Sequence, residues 1–130
     1  MQVTVTPLEA QVAELQQHNP GTTTQSLPSG ATLIVIPNVD LPTGWSKNTT
    51  TVLFLAPVGF PHAQPDCFWV DADLRLSAGE MPQNTRMEPI PDTSTTTLWF
   101  SWHLTHPWNP NRDTLSTWFG AIRNRLRDAH

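Results

Sequence analysis

The sequence predicts an α+β fold in which a four-stranded antiparallel meander is flanked by an N-terminal helix and a C-terminal helix. Four apolar runs rich in β-branched residues follow one another, separated by turns that contain proline or glycine. Amphipathic segments with helix-start signals stand at both ends of the chain. Sequential strands with short links pair as neighbours, so the two helices are expected to cover one face of the sheet.

The first helix is predicted to begin at Pro7, because proline suits the first helical position. Thr6 has the side chain of an N-cap, and Glu9 stands where a capping box needs an acid. Apolar residues then recur at helical spacing, and the sequence Asn-Pro-Gly at 19–21 is expected to end the helix.

The four strands are expected at residues 31–39, 48–57, 66–70 and 95–102. Pro37 lies inside the first of these and indicates an edge position, a bulge or the strand end. Residues 71–94 are expected to form a long loop, since Gly79 and three prolines interrupt them. Loops of this length in compact domains are typically functional or mobile.

The C-terminal helix is predicted to follow Asp113 as its N-cap. Arg123 and Arg125 lie off its apolar face, near the helix end, where cations complement the helix dipole. No segment repeats at a fixed period, and no shift of composition marks a boundary. Residues 1–130 are therefore expected to form a single domain. The apolar stripe of the helix consists of Leu115, Trp118, Phe119, Ile122 and Leu126.

The composition argues against several functional classes. Seven Lys and Arg residues against 11 Asp and Glu give a net charge of -4, with no basic stripe, so we expect no nucleic-acid partner. No apolar stretch is long enough to span a bilayer, and the N-terminus lacks the features of a signal peptide. One cysteine fits a reducing compartment, which predicts a cytoplasmic protein. Among six tryptophans, Trp45 and Trp102 are candidates for an exposed partner interface.

Residues 100–108, FSWHLTHPW, combine polar side chains that could react with large apolar ones. His103 and His106 have a spacing that could share a metal on a helical turn, but Pro107 follows at once and no CxxC or HExxH motif accompanies them. We therefore expect neither a metal site nor a cofactor. Ser101 and His103 would face the same side of a strand, either as nucleophile and base or as an ordinary hydrogen-bonded strand end.

Cys67 is the other possible nucleophile. Its neighbours Phe68, Trp69 and Val70 are apolar and strand-like, and His62 is the nearest basic group in the sequence. A thiol needs a lowered pKa to react, so Cys67 is interpreted as a small buried residue of a strand.

Two proline-containing motifs stand in a set order along the chain. Phe60-Pro61 is followed by Pro65 and then by the third predicted strand, and Trp108-Asn109-Pro110 leads into the last helix. This arrangement resembles the ubiquitin-conjugating enzyme (UBC) fold, in which a YPxxPP turn precedes the third strand and a W-S-P segment precedes a helix. The resemblance covers residues 6–126.

The chain looks most similar to divergent bacterial conjugating-enzyme-like proteins. In these, two LPxG motifs, a YPxxxPDxF motif, an SxH motif and a WxP motif recur. The matching segments here are 27–30, 41–44, 60–68, 101–103 and 108–110. The resemblance implies an acyl carrier in a bacterial pathway, with a ubiquitin-like protein and a ubiquitin-activating-enzyme-like protein as partners. Some such pathways are linked to antiviral defence.

The chain departs from the family pattern at the nucleophile. The family places its cysteine about eight positions before the tryptophan of W-S-P, whereas Ser101 lies seven positions before Trp108. No cysteine follows Cys67, which aligns with an inward strand position, and the HPN element of the family is missing. Thioester chemistry at the usual place is therefore ruled out by residue type.

Two interpretations remain open. In the first, Ser101 carries the ubiquitin-like protein as an oxyester, with His103 as general base and His106 as the second candidate for that role. An oxyester is less reactive toward amines than a thioester, so the site would have to stabilise the oxyanion better, either with backbone N–H groups or with an asparagine such as Asn109 or Asn111. In the second, the domain is catalytically inactive and docks a ubiquitin-like protein or its activating enzyme.

Overall fold

The computed structural model describes residues 5–130 as an antiparallel sheet between two terminal helices. The strands are ordered β1-β2-β3-β4-β6-β5. The predicted α+β class is confirmed. The elements are α1 (Pro7–His18), β1 (Thr23–Ser26), β2 (Thr32–Asp40), β3 (Thr49–Ala56), β4 (Phe68–Val70), β5 (Thr85–Pro89), β6 (Thr96–Phe100) and α2 (Leu115–Leu126).

The sheet has six strands in the described part of the chain, so the expected number of four is wrong. The four expected strands are β2, β3, β4 and β6, and they lie side by side as a meander. β1 and β5 extend the sheet at its two edges. Both edge strands are largely exposed, so they lack the alternation of buried and exposed residues that predicts a strand. β5 also lies inside residues 71–94, which were expected to form only a loop.

Pro37 accompanies a bulge in β2. The register between β2 and β3 shifts between Ile36 and Val39, and Asn38 has a φ of 56°. A proline has no N–H to give to the ladder, and a bulge is one of the few places in a sheet that tolerates it.

The strands β4 and β6 are shorter than predicted at the end where they meet. β6 ends at Phe100, so Ser101 and His103 lie beyond it and the strand argument that put them on one side does not apply. Cys67, just before β4, has a φ of 54° and donates its N–H to the carbonyl of Trp102 at 3.2 Å. The left-handed backbone at Cys67 ends the regular pairing at this point.

Both helices have a threonine as N-cap. The Thr6 hydroxyl accepts the N–H of Glu9 at 3.1 Å, which forms one half of the predicted capping box. In α2 the N-cap is Thr114, which forms a complete capping box with Thr117. The prediction that Asp113 caps this helix is wrong, because its carboxylate points back to the preceding turn.

The core lies between the sheet and the two helices, which cover the same face. Phe68 and Phe100 face each other across β4 and β6, and their rings stack at 4.7 Å between centroids. This stacked pair supports the sheet end from which residues 101–108 depart. None of the helices within residues 5–130 is long and apolar enough to cross a membrane.

Arg125 of α2 packs against the same end of the sheet, beside Phe100. The expectation that Arg125 lies off the apolar face of α2 is wrong, because the residue is only 1% exposed. Its guanidinium carbon lies 5.0 Å from the ring centroid of Phe100 and 5.7 Å from that of Trp102. Burial lowers the pKa of Arg125, and carbonyl acceptors compensate the buried charge. Trp45, expected at the surface, is buried and donates its indole N–H to the carbonyl of Leu126 at 2.8 Å. The three carbonyl acceptors of Arg125 are those of Gln83, Asp128 and His130.

Candidate functional site

Residues 101–108 form a connection that is tied to the body of the protein at both ends. At its start the N–H of Ser101 donates to the carbonyl of Asn84 at 2.9 Å. At its end the indole N–H of Trp108 donates to the carbonyl of Pro61 at 2.7 Å. The segment therefore carries its side chains on a backbone that neighbouring elements position.

Ser101 is half-buried, next to the stacked Phe68–Phe100 pair. Across the described chain, no hydrogen bond joins the Ser101 hydroxyl to His103. Ser101 therefore has partial access to solvent in this state, but its hydroxyl has no base in direct contact. Catalytic hydrogen bonds are often long or absent before substrate binds.

His103 forms a close pair with Asp66, which the sequence did not single out. Nδ1 of His103 lies 2.7 Å from Oδ1 of Asp66. A carboxylate can only accept, so Nδ1 carries the proton and Nε2 is left free as a base. The side chains are 71% and 60% exposed, so the pair contributes little to stability and its consequence is the orientation of the imidazole.

His106 forms a second pair with Asp113. Nε2 of His106 lies 3.2 Å from both carboxylate oxygens of Asp113, whose side chain is 4% exposed. The backbone N–H of Asn109 donates to the same carboxylate at 2.8 Å. That bond, followed by the one to His106, holds the pKa of Asp113 below its ordinary value although burial opposes the shift.

The first pair and the imidazole of the second pair line one cavity of about 380 Å³. A second cavity of about 440 Å³ lies on the other side of the same connection, between it and α2. His103 and His106 line both cavities, whereas Ser101 lines neither of them. The first cavity is bounded by His62, Asp66, His103, His106, Pro107 and Trp108.

Asn109, the candidate oxyanion donor, lies beside the second pair. Its backbone N–H is used by Asp113, and its side-chain Oδ1 accepts the N–H of Asn111 at 2.9 Å. Because Oδ1 faces the N–H of Asn111, the side-chain NH2 of Asn109 points away from that N–H and can serve as a donor. Asn111 is engaged through its backbone, and both asparagines are exposed.

Cys67 is half-buried rather than fully buried. Burial raises the pKa of its thiol, the charge of Asp66 acts in the same direction, and a hydrogen bond with Trp99 opposes both. The thiolate is therefore disfavoured, which fits the interpretation of Cys67 as unreactive.

The structure brings no metal-binding cluster together in the part of the chain that it describes. Among residues 5–130, no group of three or more His, Cys, Asp or Glu side chains could hold a metal ion. His103 and His106 are each paired with a different carboxylate.

Asp66 and Asp113 are the two residues of this site that sequence reasoning missed. Asp66 stands 37 positions before His103, so no local pattern links them. Asp113 follows His106 by seven positions and was interpreted as a helix cap instead. The short distance in the sequence between His106 and Asp113 was the one signal that could have suggested the second pair.

A family model described as prokaryotic E2 family E matches residues 12–129, which include the sheet, the connection 101–108 and α2. Comparison with curated proteins and with solved structures gave no match.

Proposed function

Because the chain belongs to prokaryotic E2 family E, we propose that it is a ubiquitin-conjugating-enzyme-like acyl carrier that works through a serine oxyester. Its partners in this proposal are a ubiquitin-like protein and a ubiquitin-activating-enzyme-like protein. Residues 1–130 act as one domain in the bacterial cytoplasm, and Ser101 receives the C-terminal acyl group of the ubiquitin-like protein.

The observation that carries the proposal is the imidazole of His103, oriented by Asp66, two residues from the only hydroxyl that aligns with the family's nucleophile. A serine hydroxyl is not ionised at neutral pH and needs a base in the transition state. With Nδ1 committed to Asp66, Nε2 of His103 is the nitrogen that can accept the Ser101 proton. This is the logic of serine, histidine and aspartate in acyl transfer generally.

The bonds and the proton of the acyl transfer to Ser101 can be followed step by step. Oγ of Ser101 attacks the carbonyl carbon of the thioester on the activating enzyme, and His103 takes the hydroxyl proton. The carbon–sulfur bond then breaks, and His103 passes the proton that it took from Ser101 to the departing thiolate. The side-chain amide of Asn109 is the candidate donor to the oxyanion that forms between these steps. His106 is the other base within the same connection.

The proposal is tested by mixing the protein with its ubiquitin-like and activating partners and ATP, and resolving the products on a denaturing gel. We expect a covalent adduct that survives thiol reductant, is lost on treatment with hydroxylamine, and is absent with Ser101→Ala. Cys67→Ala is the matched control, because it removes the other nucleophile and keeps the backbone N–H that position 67 donates to the carbonyl of Trp102. An adduct that Cys67→Ala alone abolishes contradicts the proposal.

A second function, an inactive docking module, is favoured by the position of Ser101. The serine lines neither cavity and its hydroxyl is not joined to His103 in the described chain. On this alternative the protein binds its partners without forming an adduct. Unchanged binding of the ubiquitin-like protein by wild type and Ser101→Ala, with no adduct in either, would establish it.

A further inference from the structure

The two carboxylate–imidazole pairs leave opposite nitrogens free. Asp66 holds Nδ1 of His103, so Nε2 is its free nitrogen. Asp113 holds Nε2 of His106, so Nδ1 is its free nitrogen. Both imidazoles border the same cavity of about 380 Å³. A nucleophile in that cavity therefore meets two separate bases.

We propose that His106, positioned by Asp113, is a second general base that acts when the acyl group leaves Ser101 for its acceptor, while His103 and Asp66 act when the acyl group arrives. This inference rests on the proposed function and assigns its two half-reactions to two different pairs. Asp113 is a positioning residue in it, because it acts through His106.

The carboxylate of the second pair is the more buried of the two, although its nitrogen–oxygen distances of 3.2 Å exceed the 2.7 Å of the first pair. The side chain of Asp113 is 4% exposed, against 60% for Asp66, and the N–H of Asn109 fixes its carboxylate at 2.8 Å. A buried and hydrogen-bonded carboxylate holds an imidazole in one tautomer more firmly than an exposed one, which water can replace. The N–H of Asn109 and the imidazole of His106 together fix the Asp113 carboxylate, and an imidazole held in one tautomer is what a base needs.

The step balances in atoms and protons. The acceptor nitrogen attacks the carbonyl carbon of the Ser101 ester, and His106 takes a proton from that nitrogen at Nδ1. The bond between the carbonyl carbon and Oγ breaks, and a proton passes from water through Nε2 of His103 to the serine oxygen. His106 gives its Nδ1 proton to the hydroxide that remains, so both imidazoles end neutral, as they began. The net change is one proton moved from the acceptor to Ser101.

The test separates the two half-reactions. An acetylglycine thioester serves as acyl donor, acylation is followed by intact mass, and the acylated protein is then freed of donor and treated with L-lysine. For His106→Gln and Asp113→Asn we expect acylation within about 2-fold of wild type and transfer to lysine slower by about 10-fold to 100-fold. His18→Gln, which removes an imidazole at the end of α1, is the control and should leave both steps unchanged.

A tautomer measurement makes the result independent of folding or of the donor. Nitrogen NMR of the wild-type protein should show the His106 proton on Nε2, and Asp113→Asn should move it to Nδ1 or mix the two forms. Transfer by acylated His106→Gln at the wild-type rate overturns this inference alone, as does an Nδ1 proton on His106 in wild type. A wild-type protein that takes up no acyl group overturns the inference together with the proposed function.

Discussion

Nδ1 of His103 lies 2.7 Å from Oδ1 of Asp66, although 37 positions separate the two residues in the chain. Asp66 stands just before β4 and His103 just after β6, and these strands are antiparallel neighbours. The start of β4 and the end of β6 therefore meet at the same end of the sheet. This pairing gives His103 a defined tautomer two positions after Ser101 in the chain.

The pair is expected to matter for the rate of adduct formation. His103→Ala should slow the appearance of the adduct by more than about 100-fold, the lower range for a lost general base. Asp66→Asn should slow it less, because the imidazole remains but its tautomer is no longer fixed. Rates are measured in single-turnover gel assays, with His18→Ala as control. A rate near that of wild type for His103→Ala would remove His103 from the mechanism.

The Asp113 carboxylate should make stability depend on pH. The N–H of Asn109, then His106, lowers the pKa of Asp113 in the folded protein, so the unfolded chain binds this proton more readily. Its stabilisation is present above the ordinary aspartate pKa and is lost as the pH falls through the lowered value. Denaturant unfolding should show the difference between wild type and Asp113→Asn shrinking between about pH 5 and pH 2.

Exposed Asp40, at the end of β2, supplies the control for this experiment. Asp40→Asn should leave the free energy of unfolding nearly unchanged at every pH. A gap between wild type and Asp113→Asn that stays constant down to pH 2 would speak against an ionised, stabilising carboxylate at position 113.

Cys67 should react slowly with thiol reagents. Burial raises the pKa of its thiol, so little thiolate is present at neutral pH. We expect labelling by iodoacetamide in native buffer to be much slower than in denaturant, and Cys67→Ala to form the adduct normally. Rapid stoichiometric labelling of the native protein would contradict the description of this thiol as unreactive.

Arg125 is expected to be the most sensitive charged residue for stability. Arg125→Met removes three hydrogen bonds to carbonyls, of which those of Asp128 and His130 keep another partner and that of Gln83 loses the donor found here. The free energy of unfolding should fall by about 3 kcal/mol, the usual cost for bonds to a charged group. Arg123→Met, on the exposed side of the same helix, should change it by about 0.5 kcal/mol or less. Equal effects of the two changes would refute a special role of Arg125.

The sequence allowed prediction of the elements whose signals are local. The apolar stripe of α2 and the cap of α1 depend on residues three or four positions apart, and the four central strands carry their own apolar runs. β1 and β5 could not be predicted, since they are defined by backbone bonds to a neighbouring strand and show almost no burial pattern of their own.

The candidate site was predictable only in part for the same reason. Ser101, His103, His106 and Asn109 lie close together in the sequence, and the motif around them pointed to one connection. Asp66 and Asp113 give the two imidazoles their tautomers, but their roles arise from tertiary contacts. Asp113 in particular offered a plausible local interpretation as a cap, although Thr114 holds that position.

Ser101 is proposed to carry the acyl group on its hydroxyl oxygen, and peptide mapping of the adduct tests this most directly. The adduct formed with the ubiquitin-like and activating partners is digested, and tandem mass spectrometry locates the remnant. We expect the remnant on Ser101, attached through an ester that hydroxylamine removes, and no remnant in Ser101→Ala. A remnant on Cys67, on Lys47 or on another side chain, with Ser101 unmodified, would contradict it.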